Sequence, residues 1–473
     1  MSDDVRVTPQ AWNPRGEAVI VGSHGKPLMV FGGIPGEEAT VWVQHKGRNQ
    51  SLGLWRHSDT PDPHRVEPPC DRYTACGGCP LMHLDVEGQW MAREALVREA
   101  LAEHGLDDVT IGARHASPDG LDGYRHVVKL GTGYSDQGSL RVGAWGRRTR
   151  TIVPIPNCPV TTETLRRCMS AVAHHVIELN IRPYDPEADS GVLRSVVLRQ
   201  SRTTGEVLVT LVVGRRIRQL TDLAEAIAND VSEVAGVWMH TNTDPGNAIW
   251  TRDEWGAIHV RPLIGKAWIE EEVGGVSYRM GPGDFFQTNP AVAEVLYTRA
   301  LDALQVQHGT PVVDLYAGVG GMALQASRRS GWALGVETIE GAVVHARESA
   351  RRNGLTAEFL CEDVFHAMPD VHKRLGGRRP VVVVNPARRG LEDGVIDEIV
   401  KLEPRRIGYI SCNPRALARD LALLRDKGFT IGQLELFDMF PNTPHVEVLV
   451  VLEGKATDQR EPRAPRRKVV RRS

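Results

Sequence analysis

At 473 residues with a formal charge of −2, the chain is long enough for roughly two or three domains, and its net charge implies no nucleic-acid or membrane partner. No apolar run reaches the ~18 residues a membrane helix needs, and the opening MSDDVRVTPQ lacks the basic-then-apolar order of a signal peptide. Seven cysteines, an odd number, argue against a secreted disulfide framework; the expectation is a soluble, cytoplasmic protein whose clustered cysteines serve metal binding or catalysis.

From about Val5 to His57, short alternating runs (EAVIV, KPLMVFGG, EATVWVQH) are broken by Gly and Pro, the pattern of a small antiparallel β-barrel. From about Pro68 to Leu263, strands such as LRSVVLRQ and GEVLVTLVVG mix with helices such as GQWMAREALVREALAEHG, and RTTGE reads as a hairpin turn. This central α+β block holds Cys70, Cys76 and Cys79 in a C-x5-C-x2-C pattern whose Gly pair lets the backbone fold tightly; Cys158 follows between prolines in IPNCPV. Four thiolates suit either Zn²⁺ or an iron–sulfur cluster. From about Lys266 to Glu453, strand and helix signals alternate (PVVDLYAG, GWALGVE, AEFLCEDV, RPVVVVNP, RRIGYISC, HVEVLVVL), which predicts an α/β domain over 266–455, a mostly parallel sheet covered on both faces. Residues 456–473 carry seven basic against two acidic residues and read as a disordered arm suited to phosphate.

VVDLYAGVGGMALQAS places a strand before a glycine-rich turn and a helix, and close backbone approach to a ligand needs Gly318, Gly320 and Gly321. Glu337 ends the next strand, where a carboxylate can accept both hydroxyls of a ribose. Asp363 ends the third, near where an adenine would lie. The turn departs from G-x-G-x-x-G and follows Asp314, which favours S-adenosylmethionine over NAD. Ligands of open α/β sheets bind at the carboxyl ends of the strands. Asn385 and Cys412 lie at such ends, and Glu447 begins a last strand read as antiparallel. A thiol, an amide and a carboxylate therefore converge beside a methyl donor.

DFFQTNP, DLYAGVGG, NPARRG, SCNPRALARDL and DMFPNTPHVEVLVVL, in this order, resemble the motifs of the RNA uracil-5-methyltransferases, which make 5-methyluridine in ribosomal or transfer RNA. The resemblance covers nearly all of residues 5–455 and is closest to the barrel-bearing 23S ribosomal RNA branch. It implies an S-adenosylmethionine-dependent Rossmann-like methyltransferase domain (266–455), preceded by a TRAM domain (5–57, an OB-like barrel) and a central α+β iron–sulfur domain (68–263). The segment CDRYTACGGCPLMHL resembles the family's iron–sulfur segment, which implies a [4Fe–4S] cluster on Cys70, Cys76, Cys79 and Cys158.

The family's chemistry needs an accessible thiol. Uracil C5 is a poor nucleophile until a thiolate adds at C6; the resulting enolate carbon takes the methyl group, and a base then removes the C5 proton. By resemblance Cys412 is the nucleophile, Glu447 the base, and Gln287, Tyr316, Gly321, Glu337, Asp363 and Asn385 bind the donor. Two positions depart from the common pattern: Asn385 replaces the Asp of Asp-Pro-Pro-Arg, and Gly321 stands where some members carry Asn. The implied partner is RNA, 23S rRNA preferred and tRNA possible, with Arg147, Arg148, Arg215 and Arg216 as candidate contacts. No membrane or obligate protein partner is implied, so the expectation is a monomer. The rival reading is a non-catalytic RNA-binding or assembly factor.

Overall fold

A computed structural model describes residues 4–21, 26–246, 248–253 and 257–454; the basic segment 456–473 lies outside the described residues. No described helix is long and apolar enough to cross a membrane.

The strands between Asp4 and His57 curl into a six-stranded sheet around Ala18, Val30, Ala39 and Val41. Its end strands, Asp4–Val7 and Ala11–Trp12, are not paired with each other, and Pro27–Phe31 runs parallel to Ser51–His57. The result is an open half-barrel of mixed pairing, where the sequence pattern predicts an antiparallel barrel. Alternation decides which face is apolar, but closure depends on the register between end strands, which alternation does not encode.

A seven-stranded sheet follows, with helices Glu163–Glu178 and Gln219–Asp230 packed on one face. Leu193–Gln200 and Val207–Val213 form the hairpin expected at RTTGE. The opposite face meets the third sheet, where Leu208 joins a core with Met280 and Phe286.

The third sheet has eight strands in the order Ala357–Cys361, Ala333–Glu337, Val312–Leu315, Val381–Val384, Arg406–Ser411, Glu447–Glu453, Thr430–Phe437 and Ile111–His115. The first five are parallel and Glu447–Glu453 is antiparallel to its neighbour Arg406–Ser411. All four valines of Val381–Val384 are buried, as expected for a strand covered on both faces. Two segments assigned by sequence to the central block 68–263 belong here instead. Helix Val86–Ala102 inserts Trp90, Val97 and Leu101 into the core on one face, and Ile111–His115 pairs with Thr430–Phe437 at the edge. Blocks drawn along the chain cannot register a pairing between segments so far apart.

Val312–Leu315 lies between Ala333–Glu337 and Val381–Val384. The connections therefore reverse direction here, and the strand ends open a crevice.

Candidate active site

Val312–Leu315 runs into Tyr316, whose φ of +67° is left-handed; Gly318 (φ +56°) and Gly320 (φ +88°) complete the turn into helix Gly321–Ser330. A Cβ on Gly320 would lie 2.9 Å from the Phe359 ring, so the helix starts where only glycine fits. Asp314 is buried, which pushes its carboxyl up to about 7, and it accepts a 2.8 Å hydrogen bond from Ala323 N in the first helical turn. Glu337 accepts from Gly318 N and Ile339 N, both at 2.9 Å, leaving lone pairs for a ligand's hydroxyls. Asp363 caps helix Val364–Leu375 by accepting from Phe365 N at 2.9 Å. Because Leu315 pairs with Val384, Tyr316 and Asn385 stand side by side at the crevice. The Tyr316 hydroxyl is buried without a hydrogen-bond partner, a polar group that a ligand would complete. Gln287 is buried just ahead of helix Pro290–Ala303. Gly321 differs from the others. A Cβ there would meet the Tyr297 hydroxyl at 2.6 Å, so the missing side chain makes room for a tyrosine and only backbone can face a ligand.

Ser411 pairs with Val448, so the next residues in register are Cys412 and Glu447, facing each other at the sheet end. Burial pushes the Glu447 carboxyl up to about 8. Burial, and then the charge of Glu447, push the Cys412 thiol up to about 11. Arg388 opposes both shifts: it hydrogen-bonds Cys412, and its charge favours the ionised form of each group.

The loop bearing Arg388 is tied to the thiol's own loop. Asn413 donates to the Arg388 carbonyl at 2.6 Å while its Oδ1 caps helix Pro414–Asp426, accepting from Arg415 N at 3.2 Å. Asp420 accepts from Leu391 N (2.7 Å) and the Tyr409 hydroxyl (2.5 Å), and Arg419 donates to the carbonyls of Arg389 (3.0 Å) and Leu391 (3.2 Å). NPARRG and SCNPRALARDL are thus two halves of one hydrogen-bonded unit. Arg388 belongs to the NPARRG motif, and its bearing on both thiol and carboxylate is a product of the folded loop.

The family model for tRNA (uracil-5-)-methyltransferase matches residues 269–455. An RNA methyltransferase of Caldanaerobacter subterraneus subsp. tengcongensis is 31% identical over 434 residues, 91% of this chain and 94% of the relative. The chain belongs to the RNA uracil-5-methyltransferase family. An RNA methyltransferase of Clostridium tetani is 29% identical across 90% of this chain and 91% of its own. Among solved structures, the tRNA (uracil-54, C5)-methyltransferase of Pyrococcus abyssi, in complex with S-adenosyl-L-homocysteine, has a TM-score of 0.72 and 25% identity, covering 95% of this chain and 100% of that one. The eight-stranded sheet is the Rossmann-like core of a methyltransferase fold.

In this methyltransferase Cys70, Cys76, Cys79 and Cys158 are free, half-buried and gathered around one small cavity with Tyr73 and Met82. Burial and the neighbouring thiols push Cys79 up to about 12, and Cys76 and Cys158 are raised mainly by burial. Such a set becomes comfortable as thiolates only around a cation, so the donors fit a metal centre.

Arg147 and Arg148 are engaged with the half-barrel. Arg148 donates to Glu17 at 2.9 Å; Arg147 donates to Gln44 at 2.6 Å and lies 4.6 Å from the Phe31 ring. Arg215 and Arg216 are exposed after strand Val207–Val213.

Proposed function

We propose that this enzyme transfers a methyl group from S-adenosylmethionine to C5 of a uridine in 23S ribosomal RNA through a covalent adduct at Cys412. The observation that carries the reading is the opposition of Cys412 and Glu447 across the sheet end, with Arg388 bearing on both, beside the glycine turn.

The bound donor supplies a methyl carbon on a sulfonium centre. Glu337 would accept the ribose hydroxyls, Asp363 would face the adenine, and Gln287, Tyr316 and Asn385 would complete the pocket; Gly321 offers backbone alone. Arg388 favours the Cys412 thiolate, whose sulfur adds to uracil C6 and moves the electron pair toward the O4 enolate. C5 would then take the methyl group as the donor's S–CH3 bond breaks and its electron pair stays on the sulfur of S-adenosylhomocysteine. The Glu447 carboxylate removes the C5 proton, the C6–S bond breaks, and its electron pair returns to sulfur. C5 and C6 are covered when a base is stacked, so the RNA must present the uridine turned out of its helix.

A [4Fe–4S] cluster on Cys70, Cys76, Cys79 and Cys158 is supported by the four free thiols that line one cavity. Its role is structural, since the proposed transfer moves no electrons. Residues 5–57 serve as the TRAM-like RNA-binding unit, 68–263 as the central domain apart from the segments that join the third sheet, and 266–455 as the methyltransferase domain of a monomer.

A second reading, the same reaction on transfer RNA, is favoured by one observation. The Pyrococcus enzyme named for a tRNA uracil matches 95% of this chain. The ribosomal reading rests on the motif resemblance. The test is to incubate the purified enzyme with ribosomal and transfer RNA together, using a labelled donor, and to digest each fraction to nucleosides. The expected label is in 5-methyluridine of 23S RNA. Label confined to transfer RNA selects the second reading, and label in another nucleoside or in none defeats both.

A further inference from the structure

A cluster of cations lies beside the active site, and one of them, Lys129, has no carboxylate partner. In strand Val127–Tyr134, Val128 and Leu130 enter the helix-covered core, which places Lys129 on the opposite face, toward the methyltransferase sheet. The neighbouring strand pairs Val127 with Arg199 and Lys129 with Val197. Lys129 and Arg199 are therefore diagonal neighbours on that face, about 7–8 Å apart. Arg125 lies two residues before the strand, and its buried Nε has no hydrogen-bond partner.

Lys129 is exposed, and the charges bearing on it most are Arg199, Arg125 and Arg388, all cations. Among the described residues, no carboxylate forms an ion pair with Lys129, Arg125 or Arg388. Arg199 is already answered: its guanidinium donates to the Asp284 carbonyl and lies 3.9 Å from the Met280 sulfur, and the Asp284 and Glu271 carboxylates offset its charge. Arg125 also faces the cysteine cavity, where its charge opposes the upward shift of Cys76, Cys79 and Cys158. Lys129 has no such counterweight. Gathering like charges in a cleft is costly unless an anion enters.

We propose that Lys129, backed by Arg125 and Arg199, holds a phosphate of the RNA backbone next to the nucleotide being modified, so that the seven-stranded sheet is itself a substrate-gripping surface. This rests on the reading of the protein as an RNA methyltransferase. It assigns the contact to a phosphodiester, with no base preference.

The test uses a fluorescein-labelled single-stranded uridine 12-mer, with binding followed by anisotropy between about 50 and 200 mM KCl. Lys129→Gln should flatten the slope of log K against log salt by about 0.7 to 1. Lys373→Gln, an exposed charge on helix Val364–Leu375, should keep the wild-type slope. Methylation of bulk RNA is measured on the same preparations. A Lys129→Gln slope equal to wild type, in an enzyme that still makes 5-methyluridine, overturns the phosphate site. A wild type that makes no 5-methyluridine overturns the functional reading instead, while the slope comparison still decides whether Lys129 binds phosphate.

Discussion

Arg388 bears on two groups that each ionise poorly where they sit. Both Cys412 and Glu447 are raised by burial, and for both Arg388 pulls the other way. A carboxyl near 8 gains its basic form as pH rises, so wild-type turnover should climb through that window. Replacing Arg388 with Gln raises both pKa values further and moves the ascending limb of the kcat profile to higher pH. Activity at pH 7 should fall about tenfold for each unit of that displacement. A purely structural defect would instead lower the rate equally at every pH. Cys412 and Glu447 lie within long motifs, SCNPRALARDL and DMFPNTPHVEVLVVL, whereas the proximity of Arg388 to both is encoded by no linear pattern. Gly321 teaches the converse: its place in a glycine-rich turn points to a ligand, yet the space it leaves is filled by Tyr297.

At the scale of elements, the helix Pro414–Asp426 does more than cover the sheet. Its cap Asn413 also holds the carbonyl of Arg388, so one side chain couples helix start to active-site loop. Asn413→Ala should cost about 1 kcal/mol of stability through the lost cap. Its kcat should fall further than an equally destabilising substitution elsewhere, as checked by denaturant unfolding alongside turnover. The cysteine segment gives a second expectation: Cys79→Ser should lower iron content and solubility together, and stoichiometric zinc without iron in wild type would contradict the cluster. The strands and helices of the parallel sheet were readable from alternating patterns ending in glycine or proline. The edge strand Ile111–His115 was not, since its partner is set by tertiary packing. The open half-barrel was missed for a related reason, because its end strands fail to meet.

For the whole molecule, the half-barrel is latched by buried ion pairs. Burial raises the Glu17 carboxyl, but Arg148 and Asn13 more than offset this and hold it below the ordinary range. The contribution is therefore present above the ordinary carboxylate pKa and is lost as pH falls through the lowered one. Arg148→Ala leaves Glu17 buried and unpaired, and should cost roughly 3–5 kcal/mol. The expected readout is a lower Tm, with Arg216→Ala unchanged. The covalent adduct at Cys412 is the claim on which the account depends. The most direct measurement is a denaturing gel of enzyme, RNA and labelled donor, comparing Glu447→Gln with Cys412→Ala. Glu447→Gln keeps the thiol and removes the base, so it should methylate once and stall as a slow, labelled protein–RNA band; Cys412→Ala should show none. Normal turnover by Cys412→Ala would contradict the account outright.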